Sequence, residues 1–450
     1  MRRVVPLWIG LLLVPSTLHA QSSVTGTPVL PNYERIPVGE REALEAGAYI
    51  ARTNDANANW YNPAGLVLAE RTAANLSASA YEATTLEIAS IHQKSENLRL
   101  TPIGGFFGLA IASPLTSSPN LRFGFYIARP IAWQTGTIDI KADVDPRTTL
   151  ETTSEATLSR TQPGLAVGIR LSEGFRIGGS LGVSITDLDV AQDISALVLD
   201  ADSATTARRT LAVDGTALHL IPEVGLQWDA GTRWHLGLVA AAPGLQMSGS
   251  ADVSLSNGLF ATEDRFSELN FRDEDADFEY RIPFTTGLGI AYTYGRGSIE
   301  GTLRYYGSAG PNDLLTFQNT GQLVEQVGPG PPTVTSVSAP PVVNEWREVF
   351  NFAIGGNYAL SQTLRLHLGV NTDNSPTASA DNRVFRKLDL LGGTLGISYT
   401  GPSFGGSLGF GYSSGESDPV EHAAGLPTGS LETRLHVSTF RAMYAFSARF

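Results

Sequence analysis

Thr439-Phe440-Arg441-Ala442-Met443-Tyr444-Ala445-Phe446-Ser447-Ala448-Arg449-Phe450 closes the chain. Side chains of a strand point alternately to its two faces. Phe440, Ala442, Tyr444, Phe446, Ala448 and Phe450 therefore share one surface, and Thr439, Arg441, Met443, Ala445, Ser447 and Arg449 the other. The same period recurs upstream. Leu364, Leu366, Leu368 and Val370 alternate with Arg365, His367, Gly369 and Asn371, and Phe175, Ile177, Leu181, Val183 and Ile185 alternate with Arg176, Gly178, Ser180, Gly182, Ser184 and Thr186. Ile299, Leu303 and Tyr305 alternate with Glu300, Thr302, Arg304 and Tyr306, with Gly301 the small member of the apolar face. In a soluble sandwich such apolar faces meet a second sheet. In a membrane barrel they meet lipid, and the polar faces line the lumen.

Connection lengths favour the barrel. Short turns fall at Thr116 to Asn120, Ser172 to Gly174, Asp229 to Thr232, Gly295 to Gly297, Ser361 to Gln362 and Thr400 to Ser403. Between them lie long polar stretches at Thr137 to Arg160, Asp187 to Asp214, Met247 to Asp277, Ser308 to Asn344, Asn371 to Lys387 and Ser413 to Glu432. Tight and long connections alternate in outer-membrane barrels, whereas compact soluble domains rarely carry so many long loops. From Ala73 to Phe450 the count is about fourteen strands, with twelve and sixteen also compatible with the pattern. A fourteen-stranded barrel is too wide for its own side chains to fill and narrower than an open porin. Its lumen therefore calls for a plug.

Composition agrees. Only 17% of residues are charged, against roughly 25% in an ordinary soluble domain. Six Trp, 14 Tyr and 19 Phe argue against disorder, and the absence of Cys excludes disulfides, thiolate metal sites and a cysteine nucleophile. With 44 acidic against 31 basic residues and no basic run, nucleic acid is not an expected partner. Residues 1–20 read as a cleaved signal peptide: Arg2 and Arg3, an apolar core from Val4 to Val14, and Leu18-His19-Ala20 before the cut. That core is far shorter than the roughly 20 residues a membrane helix needs.

Residues 21–72 are the candidate plug, and residues 73–450 the barrel. Glu40 to Ala51 is expected to form a short helix, followed by Trp60-Tyr61-Asn62-Pro63-Ala64-Gly65-Leu66, where Asn62, Pro63 and Gly65 suit a type I turn. Together with Ala46-Gly47 and Asp55, this stretch resembles the FadL family of outer-membrane fatty-acid transporters, which includes the toluene and xylene uptake proteins. Leu368-Gly369-Val370-Asn371-Thr372-Asp373-Asn374-Ser375-Pro376 looks like that family's late outer-loop segment, and Pro102 to Pro114 with Leu121 to Pro130 is similar to its second and third strands.

The resemblance implies an all-β fold, a fourteen-stranded antiparallel transmembrane barrel with an N-terminal hatch inside. It also implies passive uptake of long-chain fatty acids or other hydrophobic compounds, caught by outer loops and released sideways at a kink in the third strand. Arg129 and Pro130 are the candidates for that kink, since proline removes a ladder donor; alternatively Pro130 ends the strand. Asn62, Pro63, Ala64, Gly65, Trp60 and Tyr61 are the candidate hatch and substrate-path residues, and Asp373, Ser375 and Pro376 the loop motif. The family's basic position after the fifth strand falls here at Thr186 and Asp187, which cannot pair with a carboxylate, so uptake of neutral aromatic hydrocarbons stays open. The expected location is the outer membrane of a Gram-negative bacterium. The expected partners are hydrophobic small molecules, outer-membrane lipid and lipopolysaccharide, and the barrel assembly machinery through the strand ending in Phe450.

No catalytic or metal-ligating set stands out, and no cofactor is expected. His235, His367 and His436 fall within strands, where wall residues are the simpler reading. Asp273-Glu274-Asp275-Ala276-Asp277-Phe278-Glu279 imitates a calcium loop but has Phe278 where a turn glycine is needed, and reads as a solvated loop. Gly405 to Gly411 lies in a strand pattern without a following helix, so it is not a phosphate loop. A surface-interaction or structural barrel, and a barrel hydrolase, are the readings from other classes.

Overall fold

The structure, a computed structural model, describes residues 29–36, 38–88, 93–99, 103–112, 118–199, 204–262, 265–378, 384–418, 420–423 and 430–450. The expected signal peptide at 1–20 and the leader up to residue 28 lie outside the described residues, as do parts of the Pro102 to Pro114 segment and of the turn at Thr116 to Asn120.

The described residues form one closed barrel of fourteen antiparallel strands. In chain order these are Ala73–Ile88; Gln93–Arg99 continued by Ile103–Ile111; Leu121–Gln134; Thr148–Arg170; Phe175–Leu199; Ala204–Ala230; Trp234–Ala241 with Leu245–Thr262; and Arg265–Phe278 with Thr285–Tyr294. They continue with Gly297–Tyr306 and Ala309–Thr316; Val342–Trp346 with Val349–Ala359; Leu364–Asp373; Leu390–Thr400; Phe404–Glu416; and Leu435–Arg449. Each pairs with the next, and the last returns to the first from Ala73↔Arg449 to Ile88↔Leu435. Closure leaves the spanning wall without a free sheet edge, the condition for a β structure in lipid. Among the described residues no helix is long and apolar enough to cross a membrane.

The last strand obeys its sequence pattern: Phe446 is 54% exposed on the outer face and Thr439 fully buried on the inner one. The short turns at residues 171–174, 231–233, 295–296, 360–363 and 401–403 gather at the rim that holds Ala73 and Arg449.

The long polar stretches are a correction. Four of them, Thr137 to Arg160, Asp187 to Asp214, Met247 to Asp277 and Ser308 to Asn344, are mostly strand rather than loop, so the fifth and sixth strands reach 25 and 27 residues. A barrel strand needs only about 9–11 residues to cross the hydrocarbon. The reason is visible in the side chains. In the fifth strand the apolar residues Ile177, Leu181, Val183 and Ile185 face outward, and then Leu188 and Val190 face inward while Asp187 and Asp189 turn out. In the sixth, Leu211 and Val213 face inward with Asp214 and Thr216 outside, and from Leu218 to Trp228 the outward positions are apolar. The near halves are thus lipid-facing wall, and the far halves are an aqueous sheet with an apolar interior.

Two further differences concern the N-terminal stretch and the acidic run. The helix covers only Arg41–Leu44, because Ala46 and Gly47 adopt left-handed backbone at φ 53° and 77° and end it. Asp273 is a fully buried strand residue rather than part of a solvated loop. Its carboxylate accepts from the Asp275, Gln318 and Asn319 amides and pins the hairpin Thr320–Val327/Thr333–Ser338 to the eighth strand.

Candidate functional site

Residues 29–69 run through the interior and bond to strands on every side. Ile36 N donates to Pro130 O at 3.0 Å on the third strand. Arg35 Nη2 donates to Thr439 Oγ1 at 2.6 Å on the fourteenth, and Asn75 Nδ2 on the first donates to Glu40 Oε2 at 3.0 Å. Thr394 Oγ1 on the twelfth donates to Leu44 O at 2.7 Å, and Gln227 Nε2 on the sixth donates to Thr53 Oγ1 at 2.6 Å.

The tightest hold is ionic. Glu300 Oε1, buried on the ninth strand, accepts from Ile50 N at 2.6 Å and Ala51 N at 2.9 Å, while Oε2 meets Arg52 Nε at 2.8 Å. Arg52 Nη2 also meets Glu45 Oε2 at 2.6 Å, and Glu45 Oε1 lies 2.8 Å from His367 Nδ1 on the eleventh strand. Burial alone would push the Glu45 carboxyl up, but Arg52 and His367 outweigh it and hold Glu45 below the usual carboxylate range. Charges so placed are tolerable inside a protein only because each is paired and hydrogen-bonded.

Close approach to the wall depends on glycine. A methyl built on Gly124 would overlap Asn59 Oδ1, one on Gly178 would overlap Pro63 and Ala64 backbone, one on Gly225 the Asn62 side chain, and one on Gly355 or Gly369 the backbone at Glu45. These inward glycines are what permit main chain to lie against main chain.

The candidate hatch residues separate into two groups. Asn62 is structural: its Nδ2 donates to Ile50 O at 3.0 Å and Leu226 O at 2.9 Å, and its Oδ1 caps the 3₁₀ helix Pro63–Leu68 by accepting from Ala64 N. That helix replaces the simple turn read from Asn62, Pro63 and Gly65, and Gly65 sits hard against Thr53. Trp60 and Tyr61, by contrast, line a cavity partly open to solvent, together with Tyr33, Arg160, Glu223 and Pro130.

Pro130 lies where the third strand loses register. Pairing with the fourth strand runs Ala128↔Gln162 and then Ile131↔Arg160, so Arg129 and Pro130 form a bulge. Pairing with the second strand ends at Phe106↔Ala128. The loop motif is elsewhere: Asp373 Oδ1 accepts from Glu34 N at 3.1 Å, Ser375 N donates to Asp389 Oδ1 at 2.8 Å, and Pro376 O accepts from Arg347 N at 2.7 Å. The first of these fastens the outer loop to the start of the interior segment, and the other two fasten it to residues beside the twelfth and tenth strands.

A second, apolar chamber occupies the far halves of the strands, lined by Leu188, Val190, Leu211, Val213, Val253 and Phe271 among others. Along the eighth strand Phe271 lines this chamber and Ile282 the inner cavity, with the buried Phe278 and Tyr280 between them. Tyr280 packs on Trp346 and Phe385, and Val29 bridges to Phe385, so the partition contains the start of the interior segment.

No family model matches the chain, and no curated protein matches it by sequence. Solved structures do match. A Pseudomonas aeruginosa FadL homologue is 14% identical with a TM-score of 0.58, covering 93% of this chain and 100% of its own. The Pseudomonas putida toluene transporter TodX is 12% identical at 0.58, over 92% and 99%. The chain has the FadL-type barrel fold. The monoaromatic hydrocarbon channel CymD shares it, at 12% identity and 0.57 over 93% and 99%.

Glu45, Arg52, Glu300 and the inward glycines of this FadL-type barrel were not singled out from sequence as site residues. One signal was available: glycine recurs on the face opposite the lipid-facing residues, as at Gly178 and Gly369.

Proposed function

We propose that the chain is an outer-membrane channel for passive uptake of hydrophobic molecules, in which residues 29–69 act as the hatch. The observation that carries the reading is the alignment of an apolar outer chamber, an inner cavity and a wall bulge at Arg129 and Pro130 that borders that cavity. A hydrophobic ligand gains about 0.8 kcal/mol per buried methylene, so each apolar compartment favours it over water and lipid favours it last. An aqueous pore would offer no such gradient. Substrate enters the chamber, passes the Tyr280, Trp346 and Phe385 partition, and leaves sideways beside the third strand. The exposed apolar belt, from Leu165 and Val224 to Leu368 and Phe446, is the surface that meets lipid. Names of the structural neighbours support the substrate class, and outer-membrane placement, with cleavage of the signal peptide, follows from the same reading. Contacts with lipopolysaccharide and the assembly machinery belong to it as well.

Liposomes carrying the folded protein should take up oleate or toluene faster than empty ones. Equal rates for both ligands would overturn the proposal.

A further inference from the structure

We propose that the rim of short turns is a docking surface for an acidic periplasmic protein. Short turns face the periplasm in outer-membrane barrels, so the side on which this partner meets the chain rests on the outer-membrane placement above.

The chain is acidic overall, with 44 Asp and Glu against 31 Lys and Arg, yet this rim inverts the balance. Arg71, Arg233 and Arg296 lie exposed in or beside its turns. Arg122, Arg170, Arg176, Arg365 and Arg449 each stand first or second from the turn end of their strands. Against these arginines the rim sets only the acidic side chains of Glu70, Glu173 and Asp229, and Asp229 is taken by Arg176 and His235.

Deeper in the lumen guanidinium groups are neutralised, Arg52 by Glu45 and Glu300 and Arg304 by Glu34. At the rim the acceptors are mostly uncharged. Arg122 Nε donates to Ala69 O at 3.2 Å, Arg449 Nη1 to Gly401 O at 3.1 Å, Arg365 Nη1 to Asn357 Oδ1 at 3.0 Å and Arg233 Nη1 to Tyr292 OH at 3.3 Å. These groups keep their charge and spare donors for the forked bonds that arginine makes to carboxylates.

Direction and size choose the partner. Arg122, Arg365 and Arg449 alternate with the outward Phe123, Leu366 and Phe450, and Arg170 Nη2 reaches inward to Val67 O at 3.4 Å, so these four face the mouth of the lumen and turn away from the surrounding lipid. The arginines are spread round the ring, from the first and third strands through the turns after the fourth, sixth and eighth to the eleventh and fourteenth. Fourteen strands about 4.8 Å apart and tilted by about 40° close a ring roughly 28 Å across, near the width of a small globular domain. No head group or small anion spans that opening. The turns at 231–233, 295–296, 360–363 and 401–403 are too short to hinder a domain that does. Seated there, its carboxylates lie directly beneath the end of the interior segment, which Arg122 and Arg170 hold at Ala69 and Val67.

Fluorescent poly-L-glutamate is the probe, with the folded protein in nanodiscs of phosphatidylcholine. It should bind at about 20 mM NaCl and weaken roughly tenfold by about 200 mM, as contacts between exposed charges do. The triple variant Arg71→Ala, Arg233→Ala, Arg296→Ala should bind roughly tenfold more weakly, whereas Arg208→Ala with Arg272→Ala, on the outer halves of the strands, should bind as the unaltered protein does. No binding at low salt, undiminished binding by the rim variant, or an equal loss in the outer variant would overturn the assignment. If the triple variant does not reach the heat-modifiable folded form, Arg296→Glu takes its place with the same outcomes. Phosphatidylglycerol retained in native mass spectrometry should be the same with and without the three rim arginines; its loss in a rim variant that still binds poly-L-glutamate would give the arginines to lipid and overturn the protein reading. Because the chain has no cysteine, Arg296→Cys reports the side: a membrane-impermeant maleimide should label it only after the outer membrane is permeabilised. Labelling of intact cells would overturn the periplasmic assignment. Oleate and toluene uptake by the rim variant should equal that of the unaltered protein, and a protein that binds the probe but takes up neither ligand removes the transport reading alone.

Discussion

Replacing Glu300 is expected to loosen the interior segment without dismantling the wall. Its carboxylate is fully buried and holds three donors within 3 Å, the Ile50 and Ala51 amides and Arg52 Nε, at 2.6, 2.9 and 2.8 Å, with Thr302 Oγ1 farther off at 3.4 Å. Glu300→Gln keeps an oxygen for the two amides and loses the charge facing Arg52, which still has Glu45. Exchanging a charge-assisted bond for a neutral one costs about 1–2 kcal/mol, roughly a tenfold rise in local opening. Glu300→Ala leaves both amides without an acceptor, at about 1–3 kcal/mol each, besides losing the ion pair. With water entering the lumen to soften the penalty, a total of about 3–6 kcal/mol implies openings roughly 10²- to 10⁴-fold more frequent. Planar-bilayer recording reads this directly as the frequency of transient conductance steps, and heat-modifiable migration in gels checks that both variants form the barrel. An alanine variant as quiet as the unaltered protein, or no more active than the glutamine one, would refute the role given to these three bonds.

Other outcomes follow from the same interior. Removing residues 21–62 should convert a nearly closed barrel into a steadily conducting pore, and unchanged conductance would mean these residues do not block it. Burial, with Asp55 adding to it and Arg41 opposing, pushes the Glu42 carboxyl from its ordinary 4.5 up to about 8. A group whose folded value is raised contributes its stability fully below 4.5 and loses it progressively up to about 8, so conductance steps should become more frequent as pH rises from 5 to 8 and level off above 8, and Glu42→Gln should abolish that rise. Gly178→Ala drives a methyl into Pro63 and Ala64 backbone and should lower the urea midpoint by an amount equivalent to about 1–3 kcal/mol, whereas Gly301→Ala, with nothing within 4 Å, should be neutral.

The wall was legible because a two-residue period is a local property: Phe440 to Phe450 or Leu364 to Val370 carry it within one strand. The number of strands and the short turns followed from the same alternation. The outer halves were misread because the alternation changes phase between Ile185 and Leu188, and again between Val213 and Leu218, and a phase change reads as a break in the pattern. The helix expected over Glu40 to Ala51 fails at Ala46 and Gly47, where left-handed backbone brings the chain against Gly355 and Gly369. No helical periodicity encodes that contact. Glu45 meets His367 and Arg52 meets Glu300 across hundreds of residues, a juxtaposition that exists only once the barrel has closed. Asn62, by contrast, was found as part of a motif, and its side-chain bonds to Ile50 and Leu226 supply the physical reason for that residue type.

The change of phase along the fifth and sixth strands also works as a waterline. Sinking the barrel by two residues, about 6–7 Å along a strand, would drag Asp187 and Asp214 into hydrocarbon, and raising it would strand Ile185 and Leu218 among head groups. Tilted strands alone leave a barrel's draught loosely defined; here outward carboxylates meet outward aliphatic residues at nearly the same level on adjacent strands. The mouth of the apolar chamber is thereby kept at a set height above the lipid, clear of the head groups and within reach of whatever drifts across them.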